Sequence, residues 1–100
     1  MAQVGGLALK DPSAANWPRG IDWTDYLAEI GASETISSST WTISPSGLTE
    51  ASSSIVTGSK KTQIRLSSGT AGVRYTVTNT ITTSSGVVDE RSFYVLVQDR

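Results

Sequence analysis

The sequence predicts an all-β, antiparallel sandwich with an extended N-terminal arm, and three observations carry that expectation. Residues 73–97 alternate apolar and polar on either side of Ser84-Ser85-Gly86, the period of a strand with one buried face. Shorter segments of the same kind, broken by Gly, Pro and Ser clusters, recur upstream at roughly ten-residue spacing, as in a sandwich. Serine (16) and threonine (13) are abundant. Many of the threonines stand at alternate positions beside Val, Ile and Tyr, where a β-branched residue suits the solvent face of a sheet; a disordered tract would lack that pattern.

The hairpin is the firmest element. In its first arm Val73, Tyr75, Val77 and Ile81 are apolar while Arg74, Thr76, Thr78, Thr80 and Thr82 are polar; in its second arm Phe93, Val95 and Val97 are again odd-numbered. The two arms share one interior only if odd pairs with odd, which requires a three-residue loop. Thr83 then faces Val87, and the ladder runs Ile81 with Asp89, Asn79 with Arg91, Val77 with Phe93, Tyr75 with Val95 and Val73 with Val97. Gly86 falls where a three-residue loop wants a left-handed residue.

Taken from the N-terminus, residues 1–20 show no sustained period and contain Pro12, Pro18 and three glycines. They read as an arm ahead of a domain spanning 21–100. Its apolar residues Val4, Leu7, Leu9 and Trp17 imply packing on the domain or on another chain. Ile21 to Trp23 suits a short strand, followed by one helical turn capped by Thr24 or Asp25 and stopped by Gly31. Trp23, Leu27 and Ile30 would share its inner side. Glu34 to Ile43 reads as a strand with Trp41 and Ile43 inward; Ile36 has the wrong parity, so a bulge intervenes or Ile36 precedes the regular part. Pro45-Ser46-Gly47 is a turn. Leu48 to Val56 is a weak strand suited to a sheet edge, Gly58-Ser59-Lys60-Lys61 a polar turn, and Thr62 to Leu66 a strand with Ile64 and Leu66 inward. Ser67 to Gly72 then leads into the hairpin. Trp41 is the candidate for the centre of the core.

Composition removes most chemistries. A formal charge of −1 gives the chain no overall field for nucleic acid or an acidic membrane. There is no Cys and no His, so disulfides, thiol nucleophiles, the usual zinc ligands and the commonest neutral-pH base are missing. Apolar runs are far shorter than the ~20 residues that span a bilayer, and no basic segment precedes an apolar one at the start, which reads as a protein made in the cytoplasm and left unprocessed.

Asp22 and Asp25 are near enough for a shared calcium or an acid/base pair, but no third ligand has a recognisable spacing, and helix capping suits them better. Asp89, Glu90 and Arg91 suggest an ion pair at the end of the sheet. No Gly-x-Ser-x-Gly elbow occurs, and Gly69-Thr70-Ala71-Gly72 lacks the lysine and helix of a phosphate loop. Lys60-Lys61 reads as a solvated turn or a guard on a strand edge. No catalytic, cofactor-binding or metal-binding residue is assigned, and no cofactor is expected. Two features point to contact instead. Tyr94 and Leu96 lie on the face of the last strand opposite Phe93, Val95 and Val97, so something covers that face, the arm or a neighbouring subunit. Trp17 is the third candidate contact, and Trp17 with Trp23 leaves room for sugar stacking.

The order of several motifs also resembles a known family. Lys10-Asp11-Pro12; Asp22-Trp23-Thr24-Asp25-Tyr26-Leu27; Thr35-Ile36 with Ser39-Thr40-Trp41; Gly47-Leu48; Ser67 to Gly72 leading to Tyr75-Thr76-Val77-Thr78-Asn79 and Ile81-Thr82-Thr83; and Asp89-Glu90-Arg91-Ser92 are similar to the fiber-tail adaptors, small virion proteins of tailed bacteriophages. The likeness covers most of the chain and departs between Pro12 and Ile21, where Trp17-Pro18-Arg19-Gly20 lengthens the lead-in. It implies an immunoglobulin-like sandwich, in architecture only since the cysteine pair of antibody domains is missing, that joins tail machinery to a fiber without catalysis. Other tail and fiber proteins would be its partners, in several copies per virion, with no nucleic acid and no membrane. Capsid decoration, head-tail joining and a carbohydrate-binding module are the competing expectations.

Overall fold

The computed structural model describes residues 3–56 and 58–98, residues 3–7 as backbone. In chain order these form β1 (Gln3–Lys10), β2 (Trp17–Asp22), α1 (Thr24–Ile30), β3 (Ile36–Ser44), β4 (Leu48–Ile55), β5 (Lys61–Ser68), β6 (Arg74–Thr83) and β7 (Val88–Val97). One sheet has the order β1-β7-β6-β3 and the other β2-β5-β4. The all-β sandwich is therefore observed. Its pairings are antiparallel except β1 with β7, which run parallel.

The hairpin has the register that its alternation requires. Ile81 pairs with Asp89, Asn79 with Arg91, Val77 with Phe93 and Tyr75 with Val95. Thr83 N donates to Val87 O at 2.8 Å and Gly86 N to Thr83 O at 2.9 Å, closing the loop. Gly86 has φ 92°, a left-handed value that a side chain would strain. At the far end Val97 N donates to Val73 O at 3.1 Å. Tyr75, Val77, Ile81, Val95 and Val97 are buried to 1 % exposure or less.

The remaining strands follow their patterns closely. The mismatched parity of Ile36 is resolved by a bulge between Ile36 and Ser38 on β3. This lets both Ile36 and Trp41 point inward. β4, polar along most of its length, takes an edge of its sheet. Ile64 and Leu66 of β5 are fully buried. Helix α1 departs from expectation at both ends. Its N-cap is Trp23, which makes no side-chain cap bond. Asp22, one residue earlier, accepts from Thr24 N at 2.9 Å and from Thr24 Oγ1 at 2.5 Å. These bonds hold the Asp22 carboxyl below its ordinary pKa. Trp23 and Leu27 are buried together, but Ile30, expected beside them, is 36 % exposed. Leu27 is the helix's one buried residue, so the last turn reaches past the small cluster it covers.

The N-terminal segment packs on its own domain. β1 joins the first sheet beside β7 and β2 joins the second beside β5. No period was visible here because the inward positions of β1 include a charge: Ala8 and Lys10 are buried while Leu9 between them is exposed. In β2, Trp17 and Ile21 pack against the core with exposed Arg19 between them. Val4 and Leu7 have side chains outside the described residues.

Two apolar clusters fill the interior. The larger gathers Trp41, Leu48, Ile64, Leu66, Tyr75, Val77, Phe93, Val95 and Val97. The smaller holds Trp23, Leu27, Ile36 and Ile81. On β6 the residue between Val77 and Ile81 that faces inward is Asn79, fully buried. Its Nδ2 donates to Ser39 Oγ at 2.8 Å and to Thr40 O at 2.9 Å. Its Oδ1 accepts from Trp23 Nε1 at 3.0 Å and Thr62 Oγ1 at 2.7 Å. Two donors and two lone pairs are thus all used, and the bonds reach β3, β5 and the start of α1. Asn79→Leu would strand several buried polar groups at once and is expected to cost about 3 kcal/mol. The check is the urea midpoint; an unchanged midpoint would refute the network's role.

Glu34 locks the hairpin loop to the chain before β3. Its carboxylate accepts from Ser84 Oγ at 3.1 Å, from Ser85 N at 3.3 Å and from Ser85 Oγ. Ser84 N donates to Thr35 O at 2.8 Å, so loop and lead-in are stitched twice. The Ser85 hydroxyl, then Thr83, lower the Glu34 pKa below 4.5. A depressed carboxyl pKa stabilises the fold above the unfolded value, and that stability is lost as pH falls through the folded value. Glu34→Gln should therefore flatten the acid limb of a stability-versus-pH profile below about pH 5. A profile as steep as that of the parent protein would contradict this.

Candidate functional site

The outer face of the first sheet is built by the residues left over when the hairpin satisfies its core. Thr76, Thr78, Thr80 and Thr82 of β6 stand opposite Ser44, Thr42, Thr40 and Ser38 of β3, a field of hydroxyls in register. The β7 row continues it with Glu90 and Ser92 and then changes character at Tyr94 and Leu96. Both are half-buried. The Arg74 guanidinium lies 4.7 Å from the centroid of the Tyr94 ring. Arg74 is also the register partner of Leu96. On the other flank Leu9 of β1 pairs with Leu96 and is 38 % exposed. β1 thus lies beside β7 and widens the apolar patch instead of covering it. At the loop end of the same sheet Val88 is 62 % exposed.

Trp17 is not part of this patch. It sits on β2 in the other sheet, half-buried against the core, with Arg19 5.1 Å from its ring centroid. The sequence therefore named two separate surfaces. Arg74 and Leu9 were not singled out as contacts, although the hairpin register alone places Arg74 across from Leu96.

The charged candidates have structural work. Trp23 is 1 % exposed and spends its indole N–H on Asn79, so it cannot stack on a sugar. Arg91 lies 4.5 Å from the Trp23 ring centroid and 5.5 Å from that of Tyr26, and its Nη1 donates to Asp22 O at 3.0 Å. Where an ion pair with Asp89 was expected, the guanidinium rests on aromatic faces that accept its charge. Asp89 accepts from Glu90 N at 2.8 Å and from the Tyr26 hydroxyl. Burial, then that bond, raise the Tyr26 pKa. Asp25 is exposed, and among the described residues no group of three or more acidic, His or Cys side chains is placed to hold a metal. In the Gly69 to Gly72 loop, Gly72 N donates to Val97 O at 2.7 Å and Thr70 N to the Tyr75 hydroxyl at 2.9 Å. Gly69 has φ 105°, and a Cβ there would lie 2.7 Å from a Val97 methyl, so backbone conformation and packing both call for glycine.

Lys10 occupies the most unusual position. It is 0 % exposed, and its Nζ donates to three backbone carbonyls: Asp11 at 3.0 Å, Ala14 at 2.7 Å and Ser68 at 2.6 Å. All three ammonium hydrogens are used. Burial lowers its pKa, with Asp11 pulling the other way. Ser68 is held at φ 67°, a left-handed value rare for serine, which turns its carbonyl to the lysine. Lys10 O accepts from Gln98 N at 2.9 Å. One residue thereby ties the end of β1 to the segment crossing between the sheets and to the end of β5.

The fold defines a small all-β sandwich protein with an apolar patch on the outer face of its first sheet. The family described as podophage GP4 fiber-tail adaptor protein gp77 matches residues 10–96. The chain belongs to this family of phage fiber-tail adaptors. No curated protein matches it.

The matched span opens on Lys10, the residue with the carbonyl cage. Lys10→Met keeps the length of the side chain and removes the ammonium, leaving three carbonyls without their donor. A loss of about 2 kcal/mol or more is expected. Hydrogen exchange should locate the loosening in residues 8–16 and 68–72; protection unchanged there would contradict the clamp.

Proposed function

We propose that this chain is a non-enzymatic connector of the phage virion, joining the tail to a tail fiber and present in several copies. Tail and fiber proteins are its partners in this reading, with neither nucleic acid nor membrane involved, in keeping with a formal charge of −1. It is made in the host cytoplasm and ends in the tail of the particle. One observation carries the choice of surface: Tyr94 and Leu96, flanked by Arg74 and exposed Leu9, stand beside the hydroxyl rows of β6 and β3 on the outer sheet face. Aromatic, Arg and aliphatic side chains clustered on a stiff support are what protein interfaces use at their centres. Trp17, half-buried against the core beside Arg19 on the edge strand of the second sheet, is a further contact in this reading.

Tyr94→Ser combined with Leu96→Ser removes the patch while leaving the inward row Phe93, Val95 and Val97 intact. The double variant is expected to melt near the parent temperature but to lose roughly 2 kcal/mol or more of binding, about 30-fold in affinity. Its incorporation into tails, followed by complementation of particles that lack the protein, is the readout. Normal incorporation would remove this face from the interface, and gold-labelled antibody found at the capsid shell instead of the tail would overturn the adaptor placement.

A further inference from the structure

Four strands end the two sheets, and three of them carry a device that blunts an edge. β2 contains Pro18 and Arg19, β4 is bulged between Glu50 and Ser52, and β1 is interrupted between Val4 and Leu7. Such features discourage a further strand from pairing. β3 is different. Its sequence Ile-Ser-Ser-Ser-Thr-Trp-Thr-Ile-Ser holds no charge, proline or glycine, and its bulge lies at its start, between Ile36 and Ser38. The ladder fixes where its backbone groups point. Val97 N donates to Val73 O and Thr83 N to Val87 O, so the odd residues of β6 bond to β7 and its even residues bond to β3. Thr78 and Thr80 therefore bond to Thr42 and Thr40, and the N–H and C=O groups of Ser39, Trp41 and Ile43 point away from β6. Ile36 N, ahead of the bulge, donates to Ser59 O at 2.8 Å. Beyond it the three outward residues have no backbone partner among the described residues.

The second sheet is open on the same side. Glu50 and Ser53 of β4 are register partners of Leu66 and Ile64, both fully buried, so all four share the face turned to the first sheet. Glu50 and Ser53 are nevertheless exposed, because the first sheet ends at β3 and leaves them uncovered. Glu50 has no hydrogen bond or ion pair among the described residues. The geometry points to strand addition: an extended segment of a partner protein pairs with Ser39, Trp41 and Ile43, widens the first sheet over β4, and directs a Lys or Arg side chain to Glu50. Main-chain pairing supplies affinity in such a contact, and alternate side chains supply selectivity. On the outer side the added residues continue the uncharged row Ser38, Thr40, Thr42 and Ser44. This deepens the connector reading and rests on it, the partner being another protein of the particle.

Hydrogen exchange over residues 36–44, resolved to single amides by mass spectrometry, is compared between the free protein and purified particles. In the free protein the amides of Ser39, Trp41 and Ile43 exchange fast and those of Thr40 and Thr42 slowly; in particles all of them are slow. Particles that contain the protein with the three amides still fast would overturn strand addition and leave the connector reading standing, whereas particles without the protein would overturn both. Thr42→p-benzoylphenylalanine, at an exposed outer position of β3, identifies the occupant by photocrosslinking in particles. A crosslinked segment of a different virion protein that contains Lys or Arg supports the proposal; a peptide of this same chain, or a segment with no basic residue, overturns it. Glu50→Lys keeps the proposal open to refutation if the Thr42 variant does not fold. Because Glu50 is exposed, this variant should melt near the parent temperature and enter particles about tenfold less well, while Glu50→Asp enters them normally. Full incorporation of Glu50→Lys would overturn the basic contact.

Discussion

The four hydrogen bonds of Asn79 are the constraint on which the two-sheet arrangement depends. A sandwich core made only of apolar side chains can slide, since hydrophobic contact is non-directional. Here one buried amide faces Ser39 and Thr40 on its own sheet, Thr62 on the opposite sheet and Trp23 at the entry to the helix. Each bond has a fixed length and direction, so β6 cannot shift against β5 without stranding a buried polar group. The same residue divides the interior, with Tyr75 and Val77 packed in one apolar cluster and Ile81 in the other.

Lys10 and Glu34 apply the same principle at the two ends of the sheet. Each buries a charged residue, and each satisfies it with fixed partners: backbone carbonyls for the ammonium, hydroxyls and an N–H for the carboxylate. A buried charge without such partners would be expelled or neutralised. With them it becomes a fastener that is specific in position, one holding the crossing between sheets and the other the tip of the hairpin. Arg91 offers a third solution, laying its charge on the faces of Trp23 and Tyr26.

This explains which parts of the structure could be read in advance. Wherever a strand obeys period two and its turn has one permissible length, the sequence determines register, and the pairing of Val77 with Phe93 follows from parity alone. The bulge at Ile36 was visible for the same reason, as a break in parity. The first sheet's edge strand was not legible, because β1 buries Ala8 and Lys10 and exposes Leu9, the reverse of what hydrophobicity suggests. The cage that permits it comes from residues far along the chain, and Ser68 O has no side-chain signature. Likewise Tyr94 and Leu96 stood out as an apolar row on a face that should be polar, whereas Arg74 acquires its role only through the ring it lies against. Trp17 shares neither sheet nor surface with Tyr94 and Leu96.

The fasteners differ in where they sit. Asn79 binds both sheets together from the inside, and none of its partners lies on β1, so displacing β1 removes no bond from that network. Lys10 marks the boundary, with firm attachments from its own position onward and before it a glycine-interrupted strand paired to β7 alone. Local stability should therefore fall steeply on the N-terminal side of Lys10 and not elsewhere along the first sheet.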